Sequence, residues 1–301
     1  MGIEVSDLTK TFGSQVAVNN ISFRAQTGRL VGFLGPNGAG KSTTMKMITG
    51  YLKPDAGKIW VDGIPVLEQP LESKKRIGYL QENNALYYDM YVREYLSFIA
   101  SVHQLGKPAK RIQEVIERIG LERESGKKIG ALSKGYKQRV GLAAAIIHEP
   151  AVLILDEPTS GLDPNQIVEI RKVISDYSRQ HCVLLSTHIM QEVEAICDDV
   201  LIINRGDLIA DTSLEDLKKL RQGNELQVEF KEPLEAQWLE RLPAVDSVDK
   251  LDIYRWKIVA NDLDAAKTQI LEMSLQNNLN ITALRQGNSL EGLFQSLTKA
   301  G

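Results

Sequence analysis

Leu30-Val31-Gly32-Phe33-Leu34-Gly35-Pro36-Asn37-Gly38-Ala39-Gly40-Lys41-Ser42-Thr43 decides the reading of this chain. Its first five residues are apolar without alternation, the pattern of a strand buried on both faces. A glycine-rich turn follows, and after it Thr44 to Thr49 reads as helix. Strand, glycine turn and helix in that order let backbone N–H groups converge on phosphate, while the helix N-terminus adds positive potential. In this frame Asn37, Gly38, Ala39, Gly40 and Thr43 belong to the phosphate-binding turn. Lys41 reaches the β- and γ-phosphates of a nucleotide, and the Ser42 hydroxyl binds Mg²⁺. The flanking strand and helix weigh against an ordinary glycine-rich turn.

Two further runs, Val152-Leu153-Ile154-Leu155 and Cys182-Val183-Leu184-Leu185-Ser186, are also apolar almost throughout. Alternating with helical stretches, they predict an α/β fold whose parallel sheet is covered on both faces. The first of these strands ends in Asp156-Glu157. Two carboxylates leaving an apolar run are costly unless an ion or a substrate uses them. Asp156 is placed to hold Mg²⁺, and Glu157 to orient and deprotonate an attacking water. The alternative is that the pair only caps the helix after Pro158, and the phosphate loop weighs against it.

The 301 residues suit two domains, or one large domain with an appendage. Apolar residues at 43% and charged residues at 25% exclude a disordered, collagen-like or membrane-spanning chain. A net charge of -3 offers no global attraction for nucleic acid, so no nucleic-acid partner is expected. Cys182 and Cys197, the only cysteines, read as small buried hydrophobes of a reducing compartment. No signal peptide or spanning segment is legible, and a cytoplasmic chain is expected.

Between about Asp89 and His148 the strand signals stop. Tyr95, Leu96, Phe98 and Ile99, then Ile112, Val115, Ile116 and Ile119, recur at helical spacing. This stretch reads as a helical subdomain inserted in a first domain of residues 1–221. Ser213 to Leu220 reads as a linker helix, and the break Gln222-Gly223-Asn224 precedes a second domain of residues 222–301. There the expected order is strand Leu226 to Phe230, helix Leu234 to Leu242, strands Val245 to Leu251 and Tyr254 to Val259, helix Asp264 to Gln276, strand Ile281 to Leu284 and helix Ser289 to Leu297. That β-α-β-β-α-β order matches a split βαβ, ferredoxin-like α+β module.

Leu132-Ser133-Lys134-Gly135-Tyr136-Lys137-Gln138-Arg139 opens a helix with Ser133 at its N-cap. Basic residues in a first turn oppose the helix dipole, so something negative belongs nearby. With this segment the chain resembles the ATP-binding subunit of an ABC transporter. Ser133 and Gly135 match the signature loop of that family, with Lys134 and Tyr136 in place of its usual second glycine and glutamine. The likeness spans Met1 to about Asp211. It implies that Phe12 stacks on adenine, although a lone Phe also suits a core. It implies that Asp163, in Ser160-Gly161-Leu162-Asp163, lies in the loop crossing a dimer interface, and that His188 senses the γ-phosphate. Counted from Ile77-Gly78-Tyr79-Leu80, the Mg²⁺-sensing glutamine of the family falls at Glu82, with Gln81 one residue early; either side chain can supply the oxygen.

The resemblance implies an ATPase, with ATP and Mg²⁺ as cofactors, that dimerises head to tail. Each ATP lies between the phosphate loop of one subunit and Ser133 and Gly135 of the other, which supplies the missing negative charge. Its partners are a second nucleotide-binding subunit, here a second copy of the chain, and an integral membrane permease, reached from the cytoplasmic face of the inner membrane. Residues Leu86 to Tyr91 are the expected docking surface, the alternative being a folded hydrophobic cluster. The end Gly287-Asn288-Ser289-Leu290-Glu291-Gly292-Leu293-Phe294 is similar to the tail of ATPases serving ABC-2-type exporters. Met45 to Gly50 and Asn84 to Val92 look like the gliding-motility-associated branch. The runner-up is a soluble ABC-type ATPase acting on ribosomes or DNA. Translation-factor members usually join two cassettes and repair members insert long coiled coils, and the sequence has neither.

Overall fold

The computed structural model describes residues 2–220 and 225–286 together with Phe294. The chain divides into two compact units, Met1–Leu214 and Glu215–Gly301, somewhat before the expected join at 221/222.

In the first unit β1 (Gly2–Phe12) and β2 (Gln15–Gln26) form an antiparallel hairpin across Gly13. β3 (Leu30–Leu34) is buried at every position and leads into α1 (Lys41–Ile48). The helix expected from Thr44 thus starts three residues earlier, directly at the phosphate loop. β4 (Ala56–Val61) and β5 (Ile64–Pro65) complete a four-stranded antiparallel sheet of order β2-β1-β4-β5. The sequence reading had no place for this sheet. Its strands alternate buried and exposed residues, and its buried set (Ile3, Val5, Leu8, Ile21, Phe23) packs in one core with Phe33, Met45, Ile48, Ile154 and Leu184. Phe23 and Phe33, with ring centroids 5.8 Å apart, join the two layers.

After α2 (Pro70–Lys75), β6 (Ile77–Leu80) returns the chain to the main sheet. α3 (Val92–Val102), α4 (Pro108–Ile119) and α5 (Lys134–Ile146) occupy the stretch read as a helical insertion. α4 shows why that stretch was legible. Ile112, Val115, Ile116 and Ile119 are buried at i, i+3, i+4 and i+7, Pro108 starts the helix, and Gly120 ends it in the left-handed region. β7 (Val152–Asp156), α6 (Pro164–Ser178), β8 (Cys182–Thr187), α7 (Met190–Ile196), β9 (Asp199–Asn204) and β10 (Asp207–Ser213) follow. The six-stranded sheet has the order β10-β9-β3-β8-β7-β6, parallel except for the edge pair β9/β10. Both cysteines are buried and free, and burial raises both thiols, Cys182 to about 12.

In such a sheet all parallel strands end on one edge, where ligands bind. β3, β7, β8 and β6 therefore deliver Gly35, Glu157, His188 and Gln81 to one side of the molecule. Register completes the alignment, since Leu34 pairs with Thr187 and Asp156 with Ser186.

α8 (Leu214–Leu220) begins at the division between the units. The second unit contains β11 (Glu225–Phe230), α9 (Ala236–Glu240), β12 (Val245–Lys250), β13 (Arg255–Ala260), α10 (Leu263–Gln276) and β14 (Ile281–Gln286). Its sheet is antiparallel throughout, in the order β12-β13-β11-β14. Leu226, Val228, Phe230, Leu239, Trp256, Ile258 and Ile270 form its core. α9 is shorter than the expected Leu234 to Leu242: Leu239 is its buried residue, and Leu234 and Leu242 pack on the core from either side of it. The break Gln222-Gly223-Asn224, the helix expected from Ser289 to Leu297 and the exporter-like tail lie outside the described residues, save Phe294.

Candidate functional site

The loop between β3 and α1 closes in a conformation that only glycine adopts without strain. Gly38 has φ +80° and Gly40 φ +110°, and a Cβ on Gly40 would stand 2.5 Å from the Ala17 carbonyl oxygen. A Cβ on Gly38 would meet nothing, so the backbone there faces an open cleft. Gly40 caps α1 without a side-chain hydrogen bond, and no acidic residue occupies the first turn. The helix therefore presents free N–H groups and the positive end of its dipole to that cleft.

Lys41, 6% exposed, donates from Nζ to the carbonyl oxygens of Gly35 (2.7 Å) and Pro36 (3.1 Å) and lies 3.8 Å from Glu157 Oε1. Burial lowers its pKa, and the charges of Glu157, Asp156 and Glu82 oppose that shift. Asp156, 3% exposed, accepts hydrogen bonds from Ser186 Oγ (2.5 Å) and Ser42 Oγ (3.2 Å). A carboxylate and a hydroxyl side by side at a phosphate loop form the hard oxygen set that suits Mg²⁺.

Glu157 is 8% exposed and sits at φ +49°, a left-handed conformation unusual for a residue with a side chain. Its N–H donates to the Ser186 carbonyl (3.3 Å) and hydroxyl (3.1 Å), which turns the chain sharply at the end of β7. Its carboxylate meets His188 Nδ1 at 3.0 Å. Burial raises the Glu157 pKa, His188 and Lys41 pull it down, and Glu192 pushes it up.

Phe12, Asn37, Gly38, Gly40, Lys41, Ser42, Thr43, Glu82, Glu157 and His188 line one cleft of about 580 Å³, a size that takes a nucleotide. Phe12 is half exposed at its mouth, with the ammonium of Lys10 5.6 Å from the ring centroid. Ala39 is buried under the loop and lies outside the lining. Of the two candidates after β6, Glu82 faces this cleft, while Gln81 lines a second cleft with Tyr79, Asn84 and His148. Ser133, Gly135 and Asp163 also lie outside the lining. Ser133 caps α5 by accepting the Tyr136 N–H, and Asp163 caps α6 by accepting from Asn165 and Gln166. The two caps meet within the chain: a Cβ on Gly135 would strike the Gln166 side chain, and one on Gly161 the Lys134 ammonium. Sequence reasoning missed Gln15, Ala17 and Ser160 in the lining, and the Ser186 hydroxyl beneath it. Ser186 ends the quoted run Cys182 to Ser186, but its partner is set by strand register alone.

The profile of the ABC transporter family matches residues 18–160. The ABC transporter ATP-binding protein YxlF of Bacillus subtilis is 35% identical over 99% of this chain and 100% of its own. The bacitracin transport ATP-binding protein BcrA of Bacillus licheniformis is 40% identical over 72% of this chain and 71% of its own. Among solved structures, the ATP-binding subunit of an ABC transporter superposes with a TM-score of 0.68 at 31% identity, over 73% of this chain and 93% of that one.

Proposed function

The chain belongs to the family of ABC transporter ATP-binding proteins, and on that premise we propose that it powers an exporter by ATP-driven dimerisation coupled to a separate membrane-spanning permease. The family supplies the coarser facts: the chain is an ATPase, its cofactors are ATP and Mg²⁺, and ABC ATP-binding subunits dimerise and work with permeases. Among the described residues no helix is long and apolar enough to cross a membrane.

One observation carries the head-to-tail reading. The phosphate loop, Glu157 and His188 line one cleft and Asp156 joins it through Ser42, whereas Ser133 and Gly135 of the same motif set are not among its lining residues. A second copy brings them to it and satisfies the basic first turn of α5 with the γ-phosphate. In the cleft Lys41 holds the β- and γ-phosphates, Ser42 and Asp156 hold Mg²⁺, Phe12 stacks on the base, and Glu82 reaches the metal side. Glu157 orients the attacking water and takes its proton, and His188 senses the γ-phosphate.

Transport is supported by the bacitracin transport relative, and its outward direction by a relative named for Nod factor export. The exposed rings of Tyr87, Tyr88 and Tyr91 support docking of the permease at the loop before α3. The gliding-motility-associated branch rests on Met45 to Gly50 and Asn84 to Val92 alone. For the second unit, the order β12-β13-β11-β14 supports a ferredoxin-like module, because each βαβ leaves a slot filled by a strand of the other.

Mixing variants tests the sandwich. Ser133→Arg alone keeps ATP affinity in the monomer and loses hydrolysis, and Lys41→Ala loses both. The mixture regains activity, since a heterodimer holds one composite site free of either substitution. Equal loss of monomer ATP affinity in Ser133→Arg, or no recovery on mixing, contradicts it.

A further inference from the structure

The first turn of α7 carries a buried acid that lines no part of the nucleotide cleft. Glu192 is 3% exposed, and a carboxylate that deep is costly unless its oxygens are engaged. Both are. Oε1 accepts the hydroxyl of Thr159 and lies 3.7 Å from Arg171 Nη2 of α6. Oε2 accepts the hydroxyl of Thr187 at 2.6 Å, and that hydroxyl accepts the N–H of Ile189 at 3.1 Å. Arg171 leaves Nε buried without a hydrogen-bond partner, a cost that its approach to Glu192 offsets.

The positions of the two threonines give this arrangement its meaning. Thr159 follows Glu157 across Pro158, whose ring fixes φ, and Thr187 directly precedes His188. Movement of either hydroxyl therefore passes to Glu157 or His188 with little slack, and those two side chains meet at 3.0 Å. We infer that Glu192 is a positioning residue for hydrolysis, holding the loops after β7 and β8 on one carboxylate and so setting the distance between Glu157 and His188. The inference rests on the reading of Glu157 as the base.

The test uses ATP hydrolysis by the full chain. Glu192→Gln keeps the shape but cannot accept from both threonines as a charged group, and kcat falls about tenfold to a hundredfold, the scale of a misplacement near 1 Å. ATP affinity, held by the phosphate loop, stays. Thr159→Val and Thr187→Val each lower kcat, Thr159→Ser and Thr187→Ser retain it, and Thr159→Val costs less in the Glu192→Gln background than alone. Wild-type kcat in folded Glu192→Gln overturns the inference. So does a loss of ATP affinity and Tm in step with kcat, the mark of a purely structural role. Glu157→Gln, run in parallel, separates the two readings. If it turns over ATP normally, the assignment of the base has failed. If it is inactive while Glu192→Gln is normal, only the positioning role has failed.

Discussion

Glu157→Gln is the most direct probe of the cleft. The change keeps side-chain volume and the left-handed backbone that Glu157 already adopts, so it removes a charge and a proton acceptor and little else. A positioned general base contributes about 10²–10⁴-fold, or about 2.7–5.4 kcal/mol of barrier at 1.36 kcal/mol per tenfold. The upper end is expected because the carboxylate is 8% exposed, where bulk water replaces its function poorly. Binding should move the other way. Lys41 loses an anionic neighbour at 3.8 Å that competes with phosphate for its charge, so ATP affinity holds or rises. Stability should hold too, since burial disfavours the Glu157 charge more than His188 and Lys41 favour it. The native pH profile gives a second check with a definite sign. Glu157 works deprotonated and its pKa is raised by burial, so kcat falls on acidification at a higher pH than an unperturbed Glu would set. Phosphate release at saturating ATP and Mg²⁺ measures the rate, and size-exclusion chromatography in the same buffer detects the trapped dimer. Turnover within about threefold of wild type, far inside the range of a lost base, would refute the role.

Two other substitutions address the loop. Lys41→Ala removes charge-assisted hydrogen bonds worth about 1.5–3 kcal/mol, so ATP affinity by calorimetry weakens roughly 10- to 150-fold; unchanged affinity means that the ammonium does not meet phosphate. Gly40→Ala combines φ +110° with a Cβ 2.5 Å from the Ala17 oxygen, whereas Gly38→Ala meets only the strain of its φ. Both lose about 1–3 kcal/mol to backbone strain, Gly40→Ala loses more through the clash, and equal Tm values for the two contradict the loop geometry.

Much of this protein was written in local sequence. The buried run Leu30 to Leu34, the glycine loop, the carboxylates Asp156 and Glu157 at a strand end, and the 3.6-residue repeat of α4 depend on neighbours in the chain. Hydrophobic period, glycine conformation and helix capping act over that range. The sheet β2-β1-β4-β5 was different. Its strands are half exposed, and their role as a lid on Phe33 and Met45 follows from which surface they cover, a long-range property. The choice between Gln81 and Glu82 belongs to the same class, because side chains of adjacent residues leave the backbone in different directions and only the path of the chain after Leu80 selects one. Thr159, Arg171, Thr187 and Glu192 stand on four separate segments, and none carries a local signal of its partners. Strand register and the packing of α6 and α7 against the sheet bring their polar groups to one buried point, and desolvation there makes their pairing necessary.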